Sequence, residues 1–178
     1  MTTTTPITHV FGNSPPVPAH RHPNGGGWVA DTAWVADTAR VGPDAEVGGN
    51  AQVSGDAQVV GHASVFGDAR VGDRARISGR ALVFDTASVA DTAWVYGHAM
   101  VIDRAQVCDR AVVRDDAQVF GSAQVCGSAQ VGDGALVGDH AVIGGSAVIC
   151  GDAFVYGHAR VRDHAAIPNA ALLDDEPF

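Results

Sequence analysis

Residues 49–65 read Gly-Asn-Ala-Gln-Val-Ser-Gly-Asp-Ala-Gln-Val-Val-Gly-His-Ala-Ser-Val, a six-residue phrase repeated almost three times. Stepping outward by six carries the phrase over nearly the whole chain. From Val29 to Leu173, 25 consecutive positions hold Val, Ile or Leu. Two residues before them, from Ala33 to Ala171, all 24 positions are Ala. No insertion or deletion interrupts the count. Chance does not produce this, and a fixed internal period is the signature of a solenoid.

Strand alternation gives each hexapeptide its physics. In Ala-x-Val-x, Ala and Val point to one side and the two x residues to the other. The Ala and Val columns are therefore the buried set, and the x residues face outward. Two positions remain to turn the chain. The first of them, from Asp31 to Asn169, holds eleven Gly, eleven Asp, one Asn and one Pro. Gly, Asn and Asp tolerate a left-handed backbone, so a sharp corner is encoded every six residues. Pro43 cannot take positive φ, and its corner must be built differently.

Three strands and three corners close one triangular coil of 18 residues. Twenty-five hexapeptides then give about eight coils, and at ~4.8 Å per coil a prism ~40 Å long. The predicted fold is all-β: a single parallel β-helix over residues 28–173, with an N-terminal arm (1–27) and a short C-terminal tail (174–178). Composition agrees. The hydrophobic fraction is 46% with only 6% aromatics, so the core must consist of small aliphatic side chains. All 11 basic residues are Arg, and Gly reaches 22. An ordinary helical domain uses more Leu, Glu and Lys.

Runs such as Gly49–Val59 resemble the left-handed β-helix, hexapeptide-repeat superfamily, and the resemblance extends over residues 28–173. Within it, the chain looks like the very regular, loop-free bacterial and phage proteins described as transferase-like. The resemblance implies a left-handed coil, and trimers are the expected assembly. It also raises acyl-coenzyme A-dependent acyl transfer from a His base as an activity.

Net charge is −9, from 20 Asp+Glu against 11 Arg. This argues against nucleic acid or an anionic membrane surface as partner. DNA mimicry fares no better, because ~40 Å of duplex carries about 24 charges. Met1-Thr-Thr-Thr-Thr-Pro6 has neither a basic nor an apolar region of a secretory signal, and no apolar run approaches the ~18 residues of a bilayer span. The expected localisation is cytoplasmic or virion-associated.

The first 27 residues are a different material: Thr-rich, then Pro15-Pro-Val-Pro18, His20-Arg-His22 and Asn24-Gly-Gly-Gly27. They read as a flexible or extended segment, or as an arm that caps the first coil or docks on a partner. An open solenoid end exposes strand edges. Trp28 and Trp34 at one end, and Leu172, Leu173 and Phe178 at the other, are candidate plugs.

A period of 18 places outward residues in vertical columns. On the face containing Val65 and Val83, one column reads Ser64, Leu82, Met100, Gln118, Leu136, Phe154, Leu172. Its companion reads Phe66, Phe84, Ile102, Phe120, Gly138, Tyr156. This is an apolar stripe of about 400 Å² on the outside of the helix, a size that marks an interface. Leu82, Phe84, Met100, Ile102, Phe120, Leu136, Phe154 and Tyr156 are its candidate residues. The competing reading makes the stripe a bed for the arm.

Candidate chemistry is thinner. His62, His98, His140, His158 and His164 all occupy the second turn position. His140 and His158 lie one above the other, and they are the candidate bases if the protein transfers acyl groups from coenzyme A. A catalytic base needs an orienting partner and a cleft. Superfamily acyltransferases commonly build that cleft from loops, and this repeat has none. Zinc, as in the γ-class carbonic anhydrases of this fold, would need three His around one ion, whereas His158 and His164 sit on different corners. Asp73, Asp91 and Asp109 stack at one corner, and Asp85 and Asp103 at another; Arg74, Arg104 and Arg110 are the expected compensation. Cys108 and Cys126 share an outward column at disulfide spacing, with free thiols the default in a reducing compartment. Regular Thr columns of an ice-binding face are missing. The reading is a non-catalytic, oligomeric structural or interaction module without cofactor or metal, such as an assembly or phage component, whose arm is available to a protein partner.

Overall fold

A computed structural model describes residues 7–12 and 14–169, together with the backbone of 172–174. Every regular element among them is a β-strand. The strands form three sheets of 11, 8 and 8 members, and a strand pairs with the one three elements later in parallel. Register advances by 18: Val65 faces Val83, and Val83 faces Val101. The chain is thus a parallel β-solenoid of about eight 18-residue coils. No helix among the described residues is long and apolar enough to cross a membrane.

The core is the pair of columns read from the repeat. From Ala39 to Val155 every inward Ala, Val and Ile is at most 1% exposed. Ala33, Val35, Ala165 and Ile167, at the two ends, are only partly buried. Coil-to-coil hydrogen bonds run beside this core without a break; Gln52 N–H donates to Ala69 O at 2.9 Å and Ser54 N–H to Val71 O at 2.8 Å.

At all 21 corners from Gly49 to Asn169, the first turn residue has positive φ: eleven Gly, nine Asp and Asn169. From Gly49 to Gly127 the N–H after each corner donates to the corner carbonyl of the following coil, as Asn50 does to Gly67 at 2.8 Å. The first coil differs. Asp31 and Asp37 join Pro43 in avoiding positive φ, although their residue type had grouped them with the later corners. There the hydroxyls of Thr32 and Thr38 donate to Gly49 O and Gly55 O instead. No coil precedes this one, and the side chain takes over the bond that the backbone makes elsewhere.

The described part of the arm has regular structure. β1 (Thr8–His9) pairs antiparallel with β2 (Val17–Arg21), and β2 pairs antiparallel with β3 (Trp28–Ala30), the first strand of the solenoid. The Asn24-Gly-Gly-Gly27 run, whose composition reads as linker, caps part of the first coil. It lies along the free edge of β5 (Arg40–Val41), the strand after β4 (Trp34–Val35). Val41 N–H donates to Asn24 O, Gly27 N–H to Val41 O, and Asn24 Nδ2 to Ala39 O, each at 3.0 Å. A Cβ on Gly27 would sit 2.3 Å from Gly42 O, and one on Gly25 2.2 Å from Val41 O. These glycines serve close backbone approach, not freedom of motion. Trp34 is 57% exposed and plugs nothing. Trp28 packs against the arm, whereas the expected plugs Leu172, Leu173 and Phe178 have side chains outside the described residues.

Gly27→Ala is therefore expected to displace the cap. Overpacking of this kind costs about 1–3 kcal/mol, or a fall in Tm of about 5 °C for a chain of this size. The Val41 amide should lose hydrogen-exchange protection at the same time. Unchanged Tm with a protected Val41 amide would contradict the cap.

Candidate functional site

The apolar stripe lies on the outer face of the 11-stranded sheet. Leu82 and Met100 are neighbours in register, as are Leu136 and Phe154. Phe84 is 39% exposed, while Leu82, Met100, Ile102, Phe120, Leu136, Phe154 and Tyr156 are half-buried by one another and by the columns beside them. The structure divides the stripe into two aromatic groups. At the C-terminal end the Phe120 and Tyr156 rings stand 5.7 Å apart, and those of Phe154 and Tyr156 6.1 Å. Gly138 makes this possible, since a Cβ there would lie 2.4 Å from the Phe120 ring. Burial first, and the Asp139 carboxylate second, push the Tyr156 hydroxyl pKa up.

The N-terminal group contains a residue that the sequence reading missed. Phe11 of the arm is 6% exposed and meets Phe66 edge-on at 5.9 Å; Phe66 in turn meets Phe84 at 6.4 Å. Gly48 leaves the space, as a Cβ there would come within 2.7 Å of Phe66. Phe11 was findable as the sole Phe, Tyr or Trp of residues 1–27. Trp28 anchors the same arm: the His9 ring stacks on it at 4.4 Å, and the Arg21 guanidinium lies 4.0 Å from its centre. His9 Nε2 also pairs with Glu46 Oε1 at 2.8 Å. The arm thus covers the first part of the sheet, and beside its β1–β2 connection the described residues form a groove of about 710 Å³. Phe11, Val17, Phe66, Leu82 and Phe84 line that groove, with Asp31 and Thr32 among its polar residues.

The histidines do not converge. His140 and His158 stack in parallel at 5.0 Å, both exposed on a corner. Among the described residues neither is paired with a carboxylate. His98 Nδ1 lies 3.3 Å from Asp116 Oδ1 on an open corner, and His62 and His164 are exposed. His20 Nδ1 bonds Asp31 Oδ1 at 2.9 Å, whereas His22 is buried at 3% exposure with Nε2 unpartnered. These two side chains have different partners and form no common site.

The stacked aspartates have a structural task that the residue types alone did not reveal. Asp73 Oδ2 accepts Asp91 N–H at 3.2 Å, Asp91 Oδ2 accepts Asp109 N–H at 3.0 Å, and Asp109 Oδ2 accepts Gly127 N–H at 2.8 Å. Asp103 does the same for Gly121 at 2.8 Å. Backbone donors thus compensate these carboxylates. Among the described residues Arg74, Arg104 and Arg110 form no ion pair; the one Arg that does is Arg114, with Asp115. At these corners the Asp carboxylate ties one coil to the next, a bond that Gly cannot make.

Cys108 and Cys126 are joined by a disulfide across adjacent coils, with Cα atoms 4.7 Å apart, and Cys150 is free. This corrects the expectation of free thiols. That expectation rested on compartment, whereas the ladder places the two side chains within bonding reach.

Asp91→Ala tests the corner ladder. Left-handed strain of about 1–2 kcal/mol adds to a lost hydrogen bond of about 1 kcal/mol. Asp91→Asn keeps both the conformation and an acceptor. Urea unfolding should show the Ala variant destabilised by about 2 kcal/mol and the Asn variant close to the parent; equal loss in both would refute the ladder.

No protein-family model matches the chain, and no curated protein or solved structure gives a match to it.

Proposed function

We propose that this protein is a non-catalytic structural or interaction module of the left-handed hexapeptide-repeat kind. It self-associates through the outer face of its 11-stranded sheet, as a trimer. The observation that carries the reading is the run of eight apolar outward side chains on consecutive coils of one face. Phe84 is the most exposed of them at 39%. The other two faces carry mainly Gln, Arg, Ser, Gly and Ala. Two further features support it. The arm already uses the first part of the face through Phe11 and Phe66, so these side chains pack well when covered. Beside the arm, the groove lined by Leu82 and Phe84 is open among the described residues and of the size that ligands fill.

A rigid solenoid suits such a role. Each coil is fixed by its neighbours, so outward columns hold their spacing without loops to support them. Apolar side chains already immobilised on a scaffold lose little conformational freedom when a partner covers them.

Sedimentation equilibrium tests the proposal. The parent chain is expected to form a trimer at micromolar concentration. Phe84→Asp combined with Phe120→Asp alters only outward positions and should weaken association by about 30-fold or more, with an unchanged circular dichroism spectrum. A parent chain that stays monomeric at high concentration, or a variant that assembles as the parent does, would overturn it.

A further inference from the structure

Cys108 and Cys126 stand on the outer face of an eight-stranded sheet, one coil apart. Their spacing belongs to the backbone ladder, independent of the sulfur–sulfur bond. Cys108 N–H donates to Val125 O at 3.0 Å and Cys126 N–H to Ile143 O at 2.9 Å, the same bonds that the equivalent residues make in other coils. Reduction therefore leaves two thiols side by side on a rigid frame. Asp109 follows Cys108 at the corner, and its Oδ2 lies 3.9 Å from Cys108 Sγ. That oxygen is held in place by Gly127 N–H at 2.8 Å. Ligand atoms from all three side chains lie within 4.8 Å of one another. Both cysteines are half-buried. The column continues into Gly144, where an added Cβ would meet nothing within 4 Å, so the sulfurs border open space.

We propose that Cys108, Cys126 and Asp109 form, in the dithiol state, a site for one thiophilic divalent cation of the zinc or cadmium type. The disulfide is the oxidised, metal-free form of the same site. Zinc–sulfur bonds of about 2.3 Å at a tetrahedral angle separate two sulfurs by about 3.8 Å. Side chains that already approach closely enough to bond can open to that distance by rotation about χ1. Two thiolates and a carboxylate supply three negative charges against two positive, and thiolate selects zinc-type ions over magnesium or calcium. The hydrogen bond from Gly127 orients the carboxylate as outer partners orient metal ligands elsewhere. The fourth position faces solvent and takes water.

The interconversion balances with a thiol as reductant. Two reductant thiols give up two electrons and become a disulfide, the Cys108–Cys126 bond breaks, and their two protons pass to the cysteine sulfurs. Binding of the divalent ion then releases those two protons. In both states a covalent or coordinate link ties one coil to the next.

Cadmium is the probe. The full chain carrying Cys150→Ser is reduced with dithiothreitol, desalted without air and titrated with Cd²⁺, following the sulfur-to-cadmium charge-transfer band. The band is expected to saturate at one ion per chain and to be missing in the oxidised protein. Cys108→Ser and Cys126→Ser should each weaken binding by about 100-fold. Asp109→Asn keeps the corner conformation and an acceptor for Gly127, and should weaken it by about tenfold. Circular dichroism establishes that each variant is folded. Retained affinity in either Ser variant, or no saturable band in a reduced parent whose two thiols react with a thiol reagent, would overturn the site. Unchanged affinity in Asp109→Asn would contradict its third ligand.

Discussion

Each coil has interior room for three alanines and three β-branched or similar aliphatic side chains, and the rest of the structure follows from that constraint. Ala lets the strand approach the axis next to a corner, and Val fills the middle of each side. Together they leave the columns from Ala39 to Val155 with almost no exposure. Because consecutive coils repeat the same contents, each layer packs on an identical layer. The backbone can then form one continuous parallel ladder in each of three sheets. Interiors this close-packed do not tolerate volume changes, which accounts for the absence of any exception among the 24 Ala positions.

The constraint leaves the outside free, and there two periods separate. The core is satisfied every six residues, whereas an outward column recurs only every eighteen. Features that need a column are thus independent of the fold. They include the aromatic groups around Phe66 and Phe120, the aspartate ladder from Asp73 to Asp109, and the Cys108–Cys126 pair. Each uses the coil spacing of the ladder as a ready-made distance.

The solenoid was legible because its signal is redundant: core and corner were written by different residues at the same period. Legibility failed where one composition serves two purposes. Asn24-Gly-Gly-Gly27 reads as a linker, yet its glycines permit the approach to Val41 and Gly42 that caps the β5 edge. Asp31 and Asp37 carry the residue type of a left-handed corner but lie in the first coil, with no coil before it, and they adopt another conformation. The disulfide spacing was readable, while its formation depends on redox state, which residue order does not encode. Phe11 lay outside the repeat, so no column pointed to it. The eight stripe residues were legible as two adjoining columns, since period eighteen is as regular as period six.

Separation of the two periods is the central claim, and paired deletions test it in one sedimentation-equilibrium measurement. Removing residues 85–90 deletes one hexapeptide: the core stays in phase, but Met100 and the stripe residues after it move to a different face from Phe84. Removing residues 85–102 deletes one full coil and keeps both phases. Both chains should fold as solenoids, with only the full-coil deletion assembling as the parent does. Assembly of the hexapeptide deletion, or failure of either chain to fold, would contradict the account.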